Sequence, residues 1–294
     1  MRKRTSGFLL ALTAALLWGI SGTCAQFLFQ HRGVSTGWLV TVRLLGAGLL
    51  LLARASMTTS LWEIWRRDAL PLLIFSLFGV VAVQYTYFAA IHASNVATAT
   101  VLQYTGPGMI VVTLALRHRK WPTLYEYAAL GMAVLGTFLL VTHGSFRSLS
   151  ISPAALWWGL ASAVTMVIYT LQPVGLLERY KASVVIGWAM LVGGICFSCI
   201  SPPWSVTGQW DTDAVLCLLA IVLLGTLVAF YSYLTAVQWI GAQTTSLLTS
   251  AEPVTAAVLA VGWLHVPLAL ADWAGMGCIL LTILLLGKKA FDHG

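Results

Sequence analysis

Charge is scarce in this sequence, and acidic charge is scarcest. Only 9% of the 294 residues are charged, with 9 Asp and Glu against 16 Lys and Arg. Soluble domains carry about 25% charged residues, because their surfaces must stay hydrated. With 59% apolar residues, this chain lacks the polar groups to cover a soluble fold. We therefore expect an integral membrane protein whose main partner is the lipid bilayer.

Motifs of enzymes, metal sites and nucleic-acid binding are also missing. No G-x-x-x-x-G-K-[ST] loop or H-E-x-x-H helix is present, and the histidines avoid the centres of apolar stretches. The five cysteines lie inside such stretches, so we interpret Cys196-x-x-Cys199 as small buried side chains without a metal. The basic residues are scattered over short loops, which does not indicate a nucleic-acid partner. We expect no enzymatic activity and no cofactor.

Apolar stretches of membrane-spanning length fill the sequence. A spanning helix needs roughly 20 mainly apolar residues, and barrel strands would alternate over about ten. The first stretch follows MRKR and has no clear cleavage site, so we expect a retained helix instead of a signal peptide. The fold class predicted is an all-α integral membrane protein with ten transmembrane helices. These spans cover approximately residues 6–30, 35–54, 69–91, 96–116, 124–142, 152–176, 183–201, 213–237, 244–263 and 269–287.

The Lys and Arg residues predict the orientation. Ten spans place both termini on one side, and thirteen basic residues then fall in segments on that side. Only Arg32 and Arg147 fall in the opposite loops, while Arg43 lies inside a span. The positive-inside rule therefore predicts that both termini are cytoplasmic.

The two halves of the sequence match at a constant offset. FGVVAVQYTYFAA (78–90) matches LGTLVAFYSYLTA (224–236) with a shift of 146 residues. The same shift pairs Pro107 with Pro253, and LLWGISG in the first span resembles LWWGLAS in the sixth. We predict two five-helix repeats, 1–145 and 146–294, which an odd number of spans inserts in opposite directions. Such 5+5 inverted-topology repeats are typical of secondary transporters with a substrate site near the membrane midplane.

These features resemble a known family. Ten spans in two inverted repeats, W-G in spans one and six, and a proline in spans four and nine are similar to EamA-type members of the drug/metabolite transporter (DMT) superfamily. NVATATVLQ, LGTFLLVTHG, SLSISPAALWWG and the AEP of span nine most resemble its YicL-like branch of carboxylate, amino-acid and amine transporters. The resemblance covers essentially the whole chain. It implies transport through a cavity lined by spans 1, 3, 4, 6, 8 and 9. A glutamate frequent after spans four and nine of the family is missing here.

Glu252 is the first candidate for transport chemistry. It lies in the apolar stretch LLTSAEPVTAAVL, where a carboxylate costs about 2.5–3.5 kcal/mol on insertion scales. Pro253 removes one backbone donor and leaves a carbonyl near residue 249 without its helical partner. We expect Glu252 to bind a substrate amine or to carry the coupling proton. The alternative is a protonated or paired glutamate that only fixes helix packing.

Arg43 is the only basic residue inside a predicted span. It could pair with Glu252 or hold a substrate carboxylate. It could also bond to backbone carbonyls between helices. We favour this structural role, because span two is peripheral in the family fold. Whether the two charged groups meet stays open at the level of the sequence.

Aromatic and amide residues on the cavity-lining spans form the third group of candidates. Their rings and polar tips could stack on a substrate or bind it, although membrane interfaces use the same residues. Gly106-Pro107-Gly108 should weaken span four as Pro253 weakens span nine, and paired weak helices point to a transporter site. The candidates are Trp18, Gln84, Tyr85, Tyr87, Gln103, Tyr104, Trp158, Tyr169, Tyr231 and Tyr233.

The predicted function is secondary transport in the bacterial inner membrane. We expect export of a small organic metabolite, such as an amino acid or amine, by alternating access with or without proton coupling. A lipid-headgroup flippase or a transport-complex subunit is the alternative. The chain could act as a monomer, or as a homodimer through glycine-rich stretches such as GAG at 46–48.

Overall fold

Helices account for all regular secondary structure in residues 2–119, 121, 123–142, 144–145, 152–255 and 269–292, which the computed structural model describes. Residues 2–142 form α1 (Arg2–Arg32), α2 (Thr36–Ser56), α3 (Glu63–Ile74), α4 (Ala82–Ala93), α5 (Val96–Gln103), α6 (Thr105–His118) and α7 (Leu124–Thr142). The later helices are α8 (Pro153–Leu171), α9 (Val174–Leu177), α10 (Ala182–Ser198), α11 (Thr212–Leu219), α12 (Ala229–Ile240), α13 (Ala242–Leu248) and α14 (Leu270–Asp292).

The predicted all-α membrane fold is confirmed in its class. Six helical stretches are long and apolar enough to cross a bilayer, and three shorter apolar helices accompany them in the described part of the chain. The number of ten spans stays a prediction, and residues 256–263 of predicted span 244–263 lie outside the described residues. The six stretches are Lys3–Arg32, Thr36–Ser56, Glu63–Ala93, Thr98–Arg117, Pro153–Leu177 and Thr212–Ile240.

Four irregular segments interrupt the helices. Phe75–Val81 joins α3 to α4 as a π-helix, and Ala220–Val228 joins α11 to α12 in the same way. Tyr104 separates α5 from α6 with non-helical backbone angles. Thr249–Ala251 forms a 3₁₀ turn after α13, and α-helical backbone resumes at Glu252. Since π-helical segments are rare and often occur at functional sites, their positions are informative.

Polar side chains fix the starts of several helices. The side chain of Asn95 accepts a hydrogen bond from the backbone nitrogen of Thr98 at 2.7 Å, which caps α5. Asp211 caps α11 in the same way through Ala214, at 2.9 Å. These caps satisfy backbone donors that a helix leaves free in its first turn.

The closest helix pairs join early and late parts of the chain. α7 packs on α14, α2 on α10, α4 on α8, and α1 on α12. Small residues allow the closest approach: a Cβ added at Gly48 of α2 would lie 2.7 Å from the backbone nitrogen of Leu191 in α10. One Cβ at Gly46 would likewise lie 3.2 Å from Val222. The glycines of the GAG stretch therefore pack within this chain.

Candidate functional site

A cavity brings together most of the predicted polar candidates. About 40 Å³ of it is open to the centres of water molecules, and one water needs roughly 10–15 Å³ by this measure. It therefore has room for a few waters or one compact polar group. Its polar lining is Trp18, Ser21, Arg43, Gln84, Tyr87, Gln103, Tyr169 and Glu252, and its remaining lining is Gly22, Val83, Phe88, Met166 and Phe230.

Two tyrosines hold the carboxyl group of Glu252. The side chain is 4% exposed, and its Oε1 accepts a hydrogen bond from the Tyr87 hydroxyl at 3.1 Å. Its Oε2 accepts one from the Tyr104 hydroxyl, also at 3.1 Å. The Tyr87 hydroxyl lies 3.0 Å from the Oγ1 of Thr100 as well. The carboxyl group thus joins α4, and the break between α5 and α6, to the segment that carries Glu252.

The backbone beside Glu252 follows from Pro253. A proline has no N–H, so the carbonyl four residues earlier, that of Thr249, loses its helical donor. The Tyr104 hydroxyl lies within hydrogen-bond distance of this carbonyl as well as of Oε2 of Glu252, and its one proton is donated to either acceptor at a time. The sequence predicted a freed carbonyl near residue 249. In the structure the backbone N–H of Glu252 donates to the carbonyl of Thr249 as part of the 3₁₀ turn, and the Tyr104 hydroxyl is an additional partner within reach. Tyr104 thus links the irregular backbone to the carboxyl group.

Arg43 enters the same cavity from α2. It is 2% exposed, and its Nε donates to the Oγ1 of Thr226 at 2.8 Å in the π-helical segment. Its Nη2 donates to the carbonyl of Gly225 at 3.3 Å, and its guanidinium lies 4.5 Å from the ring centre of Phe88. The Thr226 side chain, a backbone carbonyl and an aromatic ring thus hold Arg43. Bonding to backbone carbonyls between helices is one of the alternatives that the sequence left open for this residue.

Arg43 and Glu252 share a cavity without forming an ion pair. Within the described part of the chain, neither has an oppositely charged group within 4.0 Å. Burying a charge without an ionic partner is costly, and such residues inside membranes usually serve a function. The cavity therefore presents one basic and one acidic group to whatever occupies it.

A cluster of aromatic rings forms one wall. Trp18 packs at 5.1 Å between ring centres on both Phe230 and Tyr233. Tyr169 lies 5.5 Å from each of the same two rings. Tyr233 is fully buried behind this wall, where its hydroxyl lies 2.8 Å from the Oγ1 of Thr170. These contacts give the site a rigid aromatic side.

Several predicted candidates lie elsewhere. Tyr85 and Trp158 pack on each other with ring centres 5.5 Å apart, and they do not line the cavity. Tyr231 is 39% exposed and is not part of the lining either. These three candidates therefore lie apart from the cavity lining, because neighbouring helical residues point about 100° apart, and their role in binding stays a prediction.

Some residues that line the cavity, or that bond to its lining, were not among the predicted candidates. Phe230 and Thr226 belong to the stretch LGTLVAFYSYLTA, so the repeat itself could have indicated them. Ser21 follows Trp18 by one helical turn on α1 and faces the same cavity. Ser162 accepts a hydrogen bond from the Nε2 of Gln103 at 2.7 Å, a contact that no sequence pattern indicates.

The described residues contain no group of three or more His, Cys, Asp or Glu side chains that could hold a metal ion.

Pro107 lies in the first turn of α6, just after the break at Tyr104. Pro253 follows the 3₁₀ turn. Both predicted helix-weakening prolines therefore stand next to interruptions of the helical backbone.

Ion pairs close both ends of the molecule. At the end where α1 finishes, Arg32 donates to Asp211 at 2.6 Å, and this hydrogen bond holds the pKa of the Asp211 carboxyl below its usual value. At the opposite end, Arg179 forms an ion pair with Asp68 at 2.9 Å. The Tyr180 hydroxyl also donates to Asp68 at 2.8 Å. We call these contacts the Arg32 clasp and the Asp68 clasp.

Comparisons with known proteins agree with this architecture. The sequence profile of the EamA-like transporter family matches residues 5–142 and again residues 153–288. The chain is 40% identical over 292 residues to the uncharacterized inner membrane transporter YicL of Salmonella typhimurium, covering 97% of this chain and 96% of that protein. It is 23% identical over 285 residues to the uncharacterized transporter YwfM of Bacillus subtilis, covering 95% and 92%. A solved crystal structure with 19% identity has a TM-score of 0.77 and covers 98% of this chain and 99% of its own.

Proposed function

Because this chain belongs to the EamA-like transporter family, and is thus a multi-pass inner-membrane transporter and not an enzyme, we propose that it exports small organic metabolites by alternating access. Its substrate class is an amino acid or related amine. The observation that carries this proposal is the pair of buried charges, Arg43 and Glu252, in one cavity without ionic partners. A zwitterion would supply a carboxylate for Arg43 and an ammonium for Glu252.

Electrostatics favour such a substrate over a neutral one. Each buried charge costs desolvation energy that only an opposite charge or strong hydrogen bonds can offset. Two of the five N–H groups of the Arg43 guanidinium are bonded, to Thr226 and Gly225. Because Arg43 also lines the cavity, an acceptor on the cavity side would give the guanidinium a further partner. The rings of Phe88 and Phe230 lie near it, and both side chains are buried. A compact molecule with both charges matches these groups, and the cavity must widen beyond its present room for a few waters to admit one.

Glu252 is also suited to carry the coupling proton. As a carboxylate, it accepts from the hydroxyls of Tyr87 and Tyr104. As a carboxylic acid, it could donate to the Tyr104 oxygen while Tyr104 donates its own proton to the carbonyl of Thr249. Both protonation states thus have hydrogen-bond partners, as a proton carrier requires. Proton antiport is therefore part of the proposal.

Several matched irregularities support ten spans in two inverted repeats. The predicted shift of 146 residues places the π-helical segment Phe75–Val81 on Ala220–Val228. It places Tyr104 on Ser250, inside the 3₁₀ turn, and Asn95 on Gly241, the starts of α5 and α13. The family profile also matches the chain twice. Repeats of this kind move against each other in alternating access.

The two clasps support the same mechanism. The Arg32 clasp ties the end of α1 to the start of α11, and the Asp68 clasp ties α3 to the segment after α9. Each joins one proposed repeat to the other, and they lie at opposite ends of the helices. Opening one while the other stays closed would expose the cavity to one side of the membrane. The distribution of Lys and Arg puts the Arg32 clasp on the outer face.

Counterflow in proteoliposomes tests the function. Counterflow of labelled amino acids and amines is measured for the wild type and for Glu252→Gln, which cannot ionise. This variant keeps one acceptor oxygen for one of the two tyrosines and turns an amide donor toward the other. We expect exchange of zwitterions by the wild type. In the variant we expect at least tenfold weaker binding of substrates with an ammonium group and loss of pH-driven net flux.

Glu178→Gln is the matched control, because Glu178 is exposed at the end of α9. It should leave both quantities unchanged. Unaltered exchange and unaltered pH-driven flux in Glu252→Gln would show that Glu252 has only a packing role. Exchange of lipid headgroups without exchange of soluble substrates would support the flippase alternative instead.

A further inference from the structure

Unpaired polar atoms are concentrated in the cavity. Gln84 has no hydrogen-bond partner for either its Nε2 or its Oε1 among the described residues, although it is 3% exposed. The Nε1 of Trp18, the Oγ of Ser21 and the hydroxyl of Tyr169 are buried and unpaired as well. All four side chains line the same cavity. Most buried polar groups in proteins have a partner, so such a cluster needs an explanation.

Neighbouring polar groups around the cavity are satisfied. Gln103 donates to Ser162, and Tyr87 and Tyr104 both donate to Glu252. Tyr233, in the second layer, lies within hydrogen-bond distance of Thr170. The unpaired groups are therefore one subset of the polar cavity lining. The charged groups and their hydrogen-bond partners are the other.

The four side chains come from three helices and offer both donors and acceptors. Trp18 and Ser21 stand one turn apart on α1, Gln84 lies on α4 and Tyr169 on α8. Trp18 can only donate, whereas Gln84, Ser21 and Tyr169 can donate and accept. None of them is charged. An occupant that satisfies them must carry both donors and acceptors, and it needs no charge to do so.

We propose that Trp18, Ser21, Gln84 and Tyr169 form a neutral hydrogen-bonding subsite that reads the uncharged polar part of the substrate. The inference rests on the proposed function, in which Arg43 and Glu252 take the charged ends. The carrier then prefers amino acids with amide or hydroxyl side chains over aliphatic isosteres. A site built to hydrogen-bond its substrate rejects analogues that lack the polar group, because its own groups are then left unpaired.

Pairs of isosteric amino acids test the subsite. Asparagine against leucine, and threonine against valine, compete for counterflow in proteoliposomes of the wild type and of Gln84→Met. In the wild type we expect the polar member of each pair to compete at least tenfold better. In Gln84→Met this ratio should fall below about threefold, while the requirement for a free ammonium and carboxylate stays. Gln243→Met is the matched control, because the Nε2 of Gln243 is also unpaired but does not line the cavity.

A second variant guards against misfolding. Tyr169→Phe removes one hydroxyl that has no protein partner, so the Tm of the purified protein should not fall. Asparagine and threonine should raise that Tm less than in the wild type, which a purely structural hydroxyl would not cause. A lower Tm of the variant without substrate would contradict the assignment.

The outcomes separate this proposal from the proposed function. Equal competition by both members of each pair, with zwitterions still exchanged, overturns the subsite and leaves the function standing. No exchange of zwitterions, together with stabilisation of the wild type but not of Gln84→Met by acetamide, overturns the function and supports the subsite. No exchange and no stabilisation by any of these probes overturns both.

Discussion

Single residues break the symmetry that the proposed repeat would impose. With a shift of 146 residues, Glu252 corresponds to Gly106 and Arg43 to Ala189. The acidic group thus occurs once, on the second repeat, and the basic group once, on the first. A bound zwitterion would keep the same orientation between the repeats in both conformations. In the proposed alternating-access mechanism, the binding chemistry would therefore stay the same in both conformations.

Tyr104 should matter more for stability than Tyr87. Tyr104→Phe removes a side-chain partner of the carbonyl of Thr249 and of the carboxyl group of Glu252, while the backbone N–H of Glu252 still donates to that carbonyl. A lost buried hydrogen bond costs about 0.5–1.5 kcal/mol, and about 1.5–3 kcal/mol where the partner is charged. Tyr87→Phe leaves that backbone contact in place and should cost less. Thermal unfolding of both variants in detergent measures the difference, and equal losses would contradict the role given to the Thr249 carbonyl.

At the scale of helices, the sequence predicted which residues are helical better than it predicted which way they face. Glu252, Arg43, Gln84 and Gln103 were found because polar groups are costly against lipid, wherever the helix turns them. The position of Tyr85 outside the cavity lining could not be predicted, because aromatic rings suit lipid, interface and cavity alike. The π-helical segment Phe75–Val81 lies just before Tyr85 and adds residues to each turn. An α-helical period therefore misjudges the facing of residues beyond it.

Contacts between distant helices could not be predicted at all. Arg43 bonds to Thr226, 183 residues later, and Gln103 bonds to Ser162, 59 residues later. Apolar periodicity carries no information on which helices become neighbours. Only the internal repeat gave a partial guide, since it placed Pro107 and Pro253 in equivalent positions.

The α2–α10 pair should be sensitive to one methyl group. Gly48→Ala places a Cβ 2.7 Å from the backbone nitrogen of Leu191, which cannot move aside as a side chain could. We expect a loss of about 1–3 kcal/mol, typical of overpacking. The measurement is thermal or chemical unfolding of the purified protein.

Gly131→Ala in α7 is the matched control. A Cβ there meets nothing within 4 Å, and alanine favours helices over glycine by about 1 kcal/mol. It should leave the stability unchanged or raise it. A similar loss in both variants would show that the close contact at Gly48 is not the cause.

For the whole molecule, the clasps should bias the cavity toward opposite sides. Asp211→Asn weakens the Arg32 clasp and should raise the labelling of a reporter Ser21→Cys from that end by a few fold, as expected for an exposed pair. Asp68→Asn should raise labelling from the other end, and by more, because Asp68 is only 7% exposed in its side chain. Impermeant maleimide applied to vesicles of each orientation, in a background without native cysteines, gives the readout.

Glu63→Gln serves as the control for this experiment. Its pair with Arg67, at 3.5 Å, lies within α3 and joins no other part of the chain. It should leave labelling from both sides unchanged. Equal increases from both sides in Asp211→Asn and Asp68→Asn would indicate general loosening and would contradict the clasps.

Acid should affect the Arg32 clasp only at low pH. Because the hydrogen bond from Arg32 lowers the pKa of Asp211, the contact is complete above the usual aspartate value of about 3.9. Its contribution is lost as the pH falls through the lowered pKa. Labelling from the Arg32 end should therefore stay constant between about pH 5 and 7. An increase in labelling between about pH 5 and 7 would show that a titratable group other than Asp211 controls opening at this end.

The distance in sequence between Arg43 and Thr226 also sets the order of events during synthesis. At about 5–20 residues per second, the 183 residues between them take roughly 10–40 s to make. During this time Arg43 has entered the bilayer, or waits in the insertion machinery, without its hydrogen-bond partner. Among the described residues, the most extensive helix–helix contacts likewise form only after the second half of the chain has been made. The yield of Arg43 variants in cells will therefore report on membrane insertion as well as on the finished carrier.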